Sequence, residues 1–423
     1  MKQRLWTVTI VLICLSCSNK EPTLFSLLSS SRTGIKFQNL LQENESFNVL
    51  NYGYLYNGGG VAVGDVNNDG LEDIYFTGNM VASRLYMNQG NLKFKEVAAQ
   101  AGVEAAGYWN TGTVMVDINA DGWLDIFVCR SAAKTAPYRQ NLLFINNQDG
   151  TFTEMAKDLG LLDTGYTTNA LFFDMDRDND LDLYLLNHSV QEYAGFDRLT
   201  GELKNKVDPN YGDKLYENIG GFFFDITSMS GIKTNVLGFG LGVVSADFNE
   251  DGWPDIYVSN DYNEEDYLYI NNQDRTFTEN LRDYMDYTPL FSMGSDVADI
   301  NNDGSMDIVA LDMLPESQER QKMVLGPDNY EKHSQLTKTG FHHQYMRNML
   351  QVNQSGQFFS EVGQFSGISN TDWSWAALVS DFDNDGWNDL FVTNGYKRDY
   401  TNMDFISYAV QQRLNQKQNN SEI

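Results

Sequence analysis

The sequence predicts an all-β chain, a β-propeller of about six four-stranded blades with a helical insertion and an incomplete C-terminal end. Three observations carry that prediction: an acidic nine-residue pattern recurs six times, β-prone runs flank every copy, and a common strand-turn-strand grammar follows most copies. The 423 residues are 42% hydrophobic and 13% aromatic, enough for a large core and unlike an acidic disordered chain. Abundant Tyr and Phe with only 7 prolines favour β structure. With 58 acidic against 29 basic residues the formal charge is −29, the wrong sign for neutralising phosphates, so nucleic acid is excluded as a partner.

From the N-terminus, the apolar run Leu5 to Leu15 follows Lys2 and Arg4 and is too short for a membrane-spanning helix. Residues 1–16 read as a secretory signal. Leu15-Ser16-Cys17 resembles the lipobox of bacterial lipoproteins, which implies acylation of Cys17 and a tether over 17–32. Cys14 stands where that pattern usually has an aliphatic residue, and ordinary signal-peptide cleavage is the alternative. The lipid anchor is then the only expected membrane contact, with the outer membrane and cell surface as the expected location. Removal of Cys14 and acylation of Cys17 leave Cys129, in the apolar run Asp125-Ile-Phe-Val-Cys129, as a buried inert thiol.

The repeat has the form Asp-x-(Asn/Asp)-x-Asp-(Gly/Asn)-x-x-Asp. Its oxygen-bearing positions one, three, five and nine are Asp65, Asn67, Asp69 and Asp73 in the first copy and Asp117, Asn119, Asp121 and Asp125 in the second. Asp174, Asp176, Asp178 and Asp182 form the third, and Asp247, Asn249, Asp251 and Asp255 the fourth. Asp299, Asn301, Asp303 and Asp307 form the fifth, and Asp381, Asp383, Asp385 and Asp389 the sixth. Such oxygens converge on one hard cation if the backbone turns sharply between them, as Gly or Asn at position six allows. Position twelve, where a helix-loop-helix calcium site needs Glu, holds Phe76, Val128, Leu185, Val258, Ala310 and Val392. The loops are therefore expected to join consecutive strands as hairpins holding several structural Ca²⁺ ions. Six ions would take the charge from −29 to −17. Calcium suits the many protein oxygens better than magnesium, and zinc would want His or Cys. The third loop, with Arg177 and Asp180, is the one most open to being a plain acidic hairpin.

Two further strands follow each complete hairpin, as in Asn141-Leu-Leu-Phe-Ile-Asn146 with Thr151-Phe-Thr-Glu154, and Tyr267-Leu-Tyr-Ile-Asn271 with Thr276-Phe-Thr-Glu279. Motif starts lie 52, 57, 73, 52 and 82 residues apart, which places a helical insertion at about 311–347. The propeller is expected over 33–398 and a polar helical tail over 399–423. Ile35 to Asn39 resembles a fourth strand and could seal the last blade; an incomplete ring is favoured because no third strand is evident there.

These residues, with Asn57-Gly-Gly-Gly-Val-Ala-Val-Gly-Asp65 and Tyr108-Trp109-Asn110-Thr-Gly112, resemble FG-GAP or VCBS-repeat propellers, whose metal loops integrin α-subunits share. The pattern is most similar to ASPIC/UnbV-associated, cartilage acidic protein-like lipoproteins. The chain departs from them in stopping soon after the sixth loop, without the ASPIC/UnbV part.

In propellers the segments entering each first strand reach the face opposite the hairpins. Here they carry Tyr108, Trp109 and Asn110, Phe239, Phe291, and Trp373 and Trp375, aromatics that suit a glycan or an extracellular protein partner or else wedge between blades. Trp123, Trp253 and Trp387, at loop position seven, are expected to pack. The four histidines, His188, His333, His342 and His343, read as satisfied packing or surface groups. The leading expectation is thus a non-catalytic binding module, and the alternative is a polysaccharide-active hydrolase or lyase on the same scaffold.

Overall fold

In each repeat, the strand after the acidic loop is apolar on both faces, as in Ile126-Phe-Val-Cys129 and Leu183-Tyr-Leu-Leu186, and in the four middle repeats sheets cover it from both sides. The computed structural model describes residues 23–45, 47–49, 51–190, 202–324, 330–395, 402–408 and 410–411. The expected signal and Cys17 lie outside the described residues.

The first sheet comprises Val61–Gly64, Asp73–Phe76, Arg84–Asn88 and Phe94–Glu96, each strand antiparallel to the next. Sheet two repeats this with Asn110–Val116, Asp125–Arg130, Leu142–Asn146 and Phe152–Glu154. Sheet three uses Thr167–Phe173, Asp182–Asn187, Lys214–Ile219 and Phe222–Asp225, and sheet four Gly240–Ala246, Asp255–Asn260, Tyr267–Asn271 and Phe277–Glu279. Sheet five, Ser295–Ala298, Asp307–Ala310, Met349–Asn353 and Phe359–Glu361, admits the insertion between its second and third strands. That insertion carries the helices Gln318–Val324 and Tyr330–Lys338. Sheet six has two strands among the described residues, Ser374–Ser380 and Asp389–Asn394. The chain is thus an all-β propeller assembly whose last sheet has two strands among the described residues.

Five apolar layers join the six sheets in sequence. Ile126 and Val128 point back to Tyr75 and Leu85 of sheet one, while Phe127 and Cys129 point forward to Leu183 and Leu185 of sheet three. Burial pushes the Cys129 thiol far up, as an inert core sulfur requires. The same alternation places Tyr184 and Leu186 against Ile256 and Val258, Tyr257 against Ile308, and Val309 against Ala377. No such layer joins sheets six and one among the described residues, and Val61 and Val63 are 58% and 59% exposed. The segment Ile35 to Asn39 is not a strand and does not complete sheet six. It lies on sheet one instead: the Lys36 N–H donates to the Tyr86 hydroxyl at 3.1 Å, and Phe37 stacks on Phe76 at 5.1 Å. Phe25, further upstream, packs on Phe382 and Phe391, so this segment runs from sheet six to sheet one across the uncovered seam.

Around the axis the first strands approach so closely that side chains are excluded. A Cβ on Gly112 would stand 2.6 Å from the Thr168 carbonyl oxygen, and one on Gly294 2.5 Å from that of Trp375. The Gly60 N–H donates to the Thr111 carbonyl at 2.9 Å, and the Gly294 N–H to that of Trp375 at 2.9 Å.

In sheets two, four and five the asparagine ending the third strand ties sheets together. In sheet four, Asn271 Nδ2 donates to the Pro254 carbonyl of its own loop at 3.1 Å and to Met175 of the preceding sheet's loop at 2.8 Å. Asn146 joins Val66, and Asn353 joins Phe248, in the same way. Asn271→Ala should therefore cost about 2 kcal/mol, since it strands buried carbonyls. Asn88, whose side-chain amide bonds only within its own repeat among the described residues, should cost clearly less on the same change. Urea midpoints of the two variants check this, and equal losses would remove the inter-sheet role.

Candidate functional sites: acidic loops and an aromatic cavity

Each acidic loop is shaped by its own first carboxylate. Asp65 accepts the N–H groups of Asp69 at 3.1 Å and Gly70 at 2.6 Å, and Asp117, Asp174, Asp247, Asp299 and Asp381 repeat the pair. The turn needs a left-handed residue at position six, met by Gly70 at φ 83° and, in the third loop, by Asn179 at φ 72°. The ninth-position aspartates face inward. Asp73 is fully buried and accepts the Val66 N–H at 3.2 Å and the Asn88 N–H at 2.7 Å. Asp125, Asp182, Asp255 and Asp307 are held likewise. For Asp389, only the loop bond from Phe382 is present among the described residues. Burial and the neighbouring carboxylates push Asp73 and Asp125 up to about 6, and Asp182 and Asp255 up to about 7.

The donor set suits a hard cation. Carboxylate oxygens of Asp174, Asp176 and Asp182 lie within 4.8 Å of one another, as do those of Asp381, Asp383 and Asp385. In the other four loops Asn67, Asn119, Asn249 and Asn301 occupy position three, and each accepts or donates within its loop alongside Asp69, Asp121, Asp251 and Asp303. Among the described residues, one oxygen each of Asp176 and Asp180 is buried without a hydrogen-bond partner, which a cation would supply. The third loop also has a competitor, because Arg275 pairs with Asp176 at 3.1 Å and with Glu217 at 2.7 Å. Position-four side chains link the loops into a belt. Asn68 donates to the Gly122 carbonyl and Asn302 to that of Gly386, both at 2.9 Å, while Arg177 lies over the Trp253 ring. The departure of Arg177 from the repeat thus has a packing role. Trp387 stands exposed, contrary to the packing expectation, because no further loop covers it among the described residues.

The entering segments build the aromatic sites. The residue before each first strand accepts, through its carbonyl, the N–H of the residue just past the second strand: Ser131 to Trp109, His188 to Tyr166 and Asp261 to Phe239, each at 3.0 Å, and Gly395 to Trp373 at 2.9 Å. Trp109, Tyr166, Phe239 and Trp373 are therefore equivalent positions. The structure does not gather the expected face into one site. Tyr108 and Trp109 line a cavity of about 730 Å³ together with Phe47, Tyr52, Tyr138 and Tyr166. Trp109 also reaches an axial cavity of about 310 Å³, where Trp375 lies with Tyr52 and Tyr54. Trp373 borders a separate cavity of about 770 Å³ beside Glu316, Arg320 and Asp372, in which Arg320 pairs with Asp372. Asn110 is out of a ligand's reach: it is fully buried, donates to the Gly78 and Ala105 carbonyls, and accepts from Arg130 Nε. Phe239 is buried against Tyr54 and Tyr262, so its role is packing.

The large aromatic cavity has a rigid wall. Trp109 meets Phe47 edge-on at 5.3 Å and Tyr52 at 5.8 Å, and Tyr108 leans on Tyr138 at 5.8 Å. Behind the wall His188 is buried with Nδ1 2.8 Å from the Ser189 carbonyl oxygen and Nε2 2.7 Å from Ser131 Oγ. Since a carbonyl only accepts, Nδ1 carries the hydrogen and Ser131 donates to Nε2. Burial lowers His188 to about 4, a neutral packing histidine. Phe47, Tyr52 and Tyr138 were not singled out from the sequence because distant loops deliver them; Tyr166 had a signal, its register with Trp109.

With this geometry in view, a profile described as an FG-GAP-like repeat matches residues 65–128 and 210–310. It is 26% identical to cartilage acidic protein 1 of Mus musculus over 202 residues, which covers 48% of this chain and 28% of that protein. The Homo sapiens protein is 25% identical over 205 residues, with the same coverage. The aligned region thus spans little more than a quarter of those relatives. Among solved structures, a lectin of Agrocybe aegerita described as recognising non-reducing terminal N-acetylglucosamine is similar over 78% of this chain and 73% of its own, at 16% identity and a TM-score of 0.45.

Proposed function

We propose that this protein is a calcium-stabilised envelope lipoprotein that binds a glycan or protein partner in the aromatic cavity without catalysis. The observation that carries the reading is the cavity of about 730 Å³ walled by Tyr52, Tyr108, Trp109, Tyr138 and Tyr166. Pre-packed rings lose little entropy on binding and offer flat faces to a sugar or an anchor side chain. A hydrolase needs two carboxylates flanking the scissile bond, and among the described residues no Asp or Glu lines this cavity. The acidic loops supply the other half of the proposal. Their oxygens would hold calcium, whose charge offsets the repulsion among neighbouring aspartates and fixes the belt of loops.

Three outcomes are expected. The melting temperature should rise when chelator is replaced by millimolar calcium, because an ion that binds only the folded state stabilises it; an unchanged curve would remove the calcium proposal. Tyr138→Ala should weaken glycan or partner binding by about 2 kcal/mol, the scale of an aromatic anchor, with little change in stability because Tyr138 is exposed. Binding equal to the parent in titration calorimetry would move the site elsewhere, and turnover products from a polysaccharide panel would favour the enzyme reading. Cys17→Ala should shift the protein from the membrane to the soluble fraction of its cells, and retention on membranes would contradict the anchor.

A further inference from the structure

The chain carries −29, yet among the described residues the aromatic cavity is lined by no Asp or Glu and by one exposed cation, Lys134. Two buried guanidinium groups stand behind its rings. Arg130, 5% exposed, lies 4.0 Å from the centre of the Tyr108 ring, and Arg139, 3% exposed, lies 3.9 Å from that of Tyr166. Among the described residues neither makes an ion pair. Arg130 donates to Asn110 Oδ1 and the Gln140 carbonyl, both at 3.2 Å. Arg139 donates to the Thr164 carbonyl at 2.9 Å, to that of Ala133, and to Asn210 Oδ1 at 3.3 Å. Neutral acceptors take up the N–H groups, and Glu154, the carboxylate that acts on Arg130 through space, is not among the residues lining the cavity. In low-dielectric surroundings the two guanidinium groups add a positive field on the ring side of the cavity. Burying two such groups is costly, and a neutral ligand would gain nothing from the expense.

We infer that the aromatic cavity selects a carboxylated sugar, a uronate-bearing oligosaccharide whose pyranose faces stack on the Tyr and Trp wall while its carboxylate turns toward Lys134 and the Arg130 and Arg139 side. This rests on the glycan reading of the same cavity and names its ligand class. The rings supply affinity that does not depend on charge, and the cations supply the preference for an anion over its neutral counterpart.

Titration calorimetry on the full chain with tetragalacturonate and with its fully methyl-esterified form separates the two contributions. The uronate should bind about tenfold more tightly at low salt, and that ratio should shrink toward one near 1 M salt, where the screening length is about 3 Å. Lys134→Glu should abolish the preference while binding of the ester persists, and Lys157→Glu, an exposed lysine outside the cavity lining, should leave both affinities as they were. Equal or tighter binding of the ester overturns the charge inference and keeps the glycan reading. A preference that survives Lys134→Glu and high salt also overturns it, since the discrimination then lies outside this field. Binding of neither oligosaccharide removes the uronate assignment; if a protein is then captured in a Tyr138-dependent way, the glycan reading falls with it.

Discussion

A buried carboxylate with backbone donors on both oxygens is the joint on which this architecture turns. Asp125 takes the Ile118 N–H on one oxygen and the Asn146 N–H on the other, and so fixes the hairpin loop and the third strand to the same point. Asn146 then uses its side-chain amide to hold the Val66 carbonyl of the preceding loop. One aspartate therefore sets the loop conformation, the start of the outer half of its sheet, and the spacing to its neighbour. The arrangement is electrostatically demanding, because burial and adjacent carboxylates lift Asp125 to about 6. A hard cation on the outward side would lower that cost, which connects the chemistry of the loops to the integrity of the sheets.

The two ends of the first-to-second strand hairpins divide the labour. At the loop end, short acidic turns are bound to each other by Asn68, Arg177 and Asn302, and their side chains are committed to shaping backbone. At the opposite end the chain enters each sheet through an irregular step whose carbonyl is always bonded, so the residue there is free to vary. Gly60 and Gly294 allow close approach at that step, whereas Trp109 and Tyr166 open outward into a cavity wall. Diversity is tolerated where the backbone is already satisfied, which is what lets aromatic side chains gather there.

The sixth sheet, with two strands among the described residues, shows what the outer half of a repeat contributes. Leu378 and Phe391 are exposed where sister residues in sheets two to four are covered by further strands or by a following sheet. The N-terminal segment lies across this region through Phe25 and then Phe37, with one helical turn, Ser30–Thr33, between them. Ile35 to Asn39 has the composition of an outer strand, yet its contacts with Tyr86 and Phe76 place it on sheet one. Composition alone could not distinguish those destinations, because the same apolar alternation serves a paired strand and a packed coil.

Local physics made the repeat legible in the sequence. Six aspartate-rich loops with Gly or Asn at position six require a sharp turn, the lack of Glu at position twelve rejects a helix-loop-helix calcium site, and the β-prone runs on either side give the flanking strands. The buried fate of Cys129 and the packing of His188 followed from their apolar neighbours. Tertiary structure alone decided how aromatics from separate segments share cavities, since Phe47, Tyr52 and Tyr138 meet Trp109 only after the sheets assemble. It also withdrew Asn110 from the surface, because the partners that claim its amide, Gly78 and Arg130, lie 32 and 20 residues away. Whether a polar side chain faces a ligand or the protein depends on which distant donors and acceptors reach it, and spacing along a chain carries no record of that.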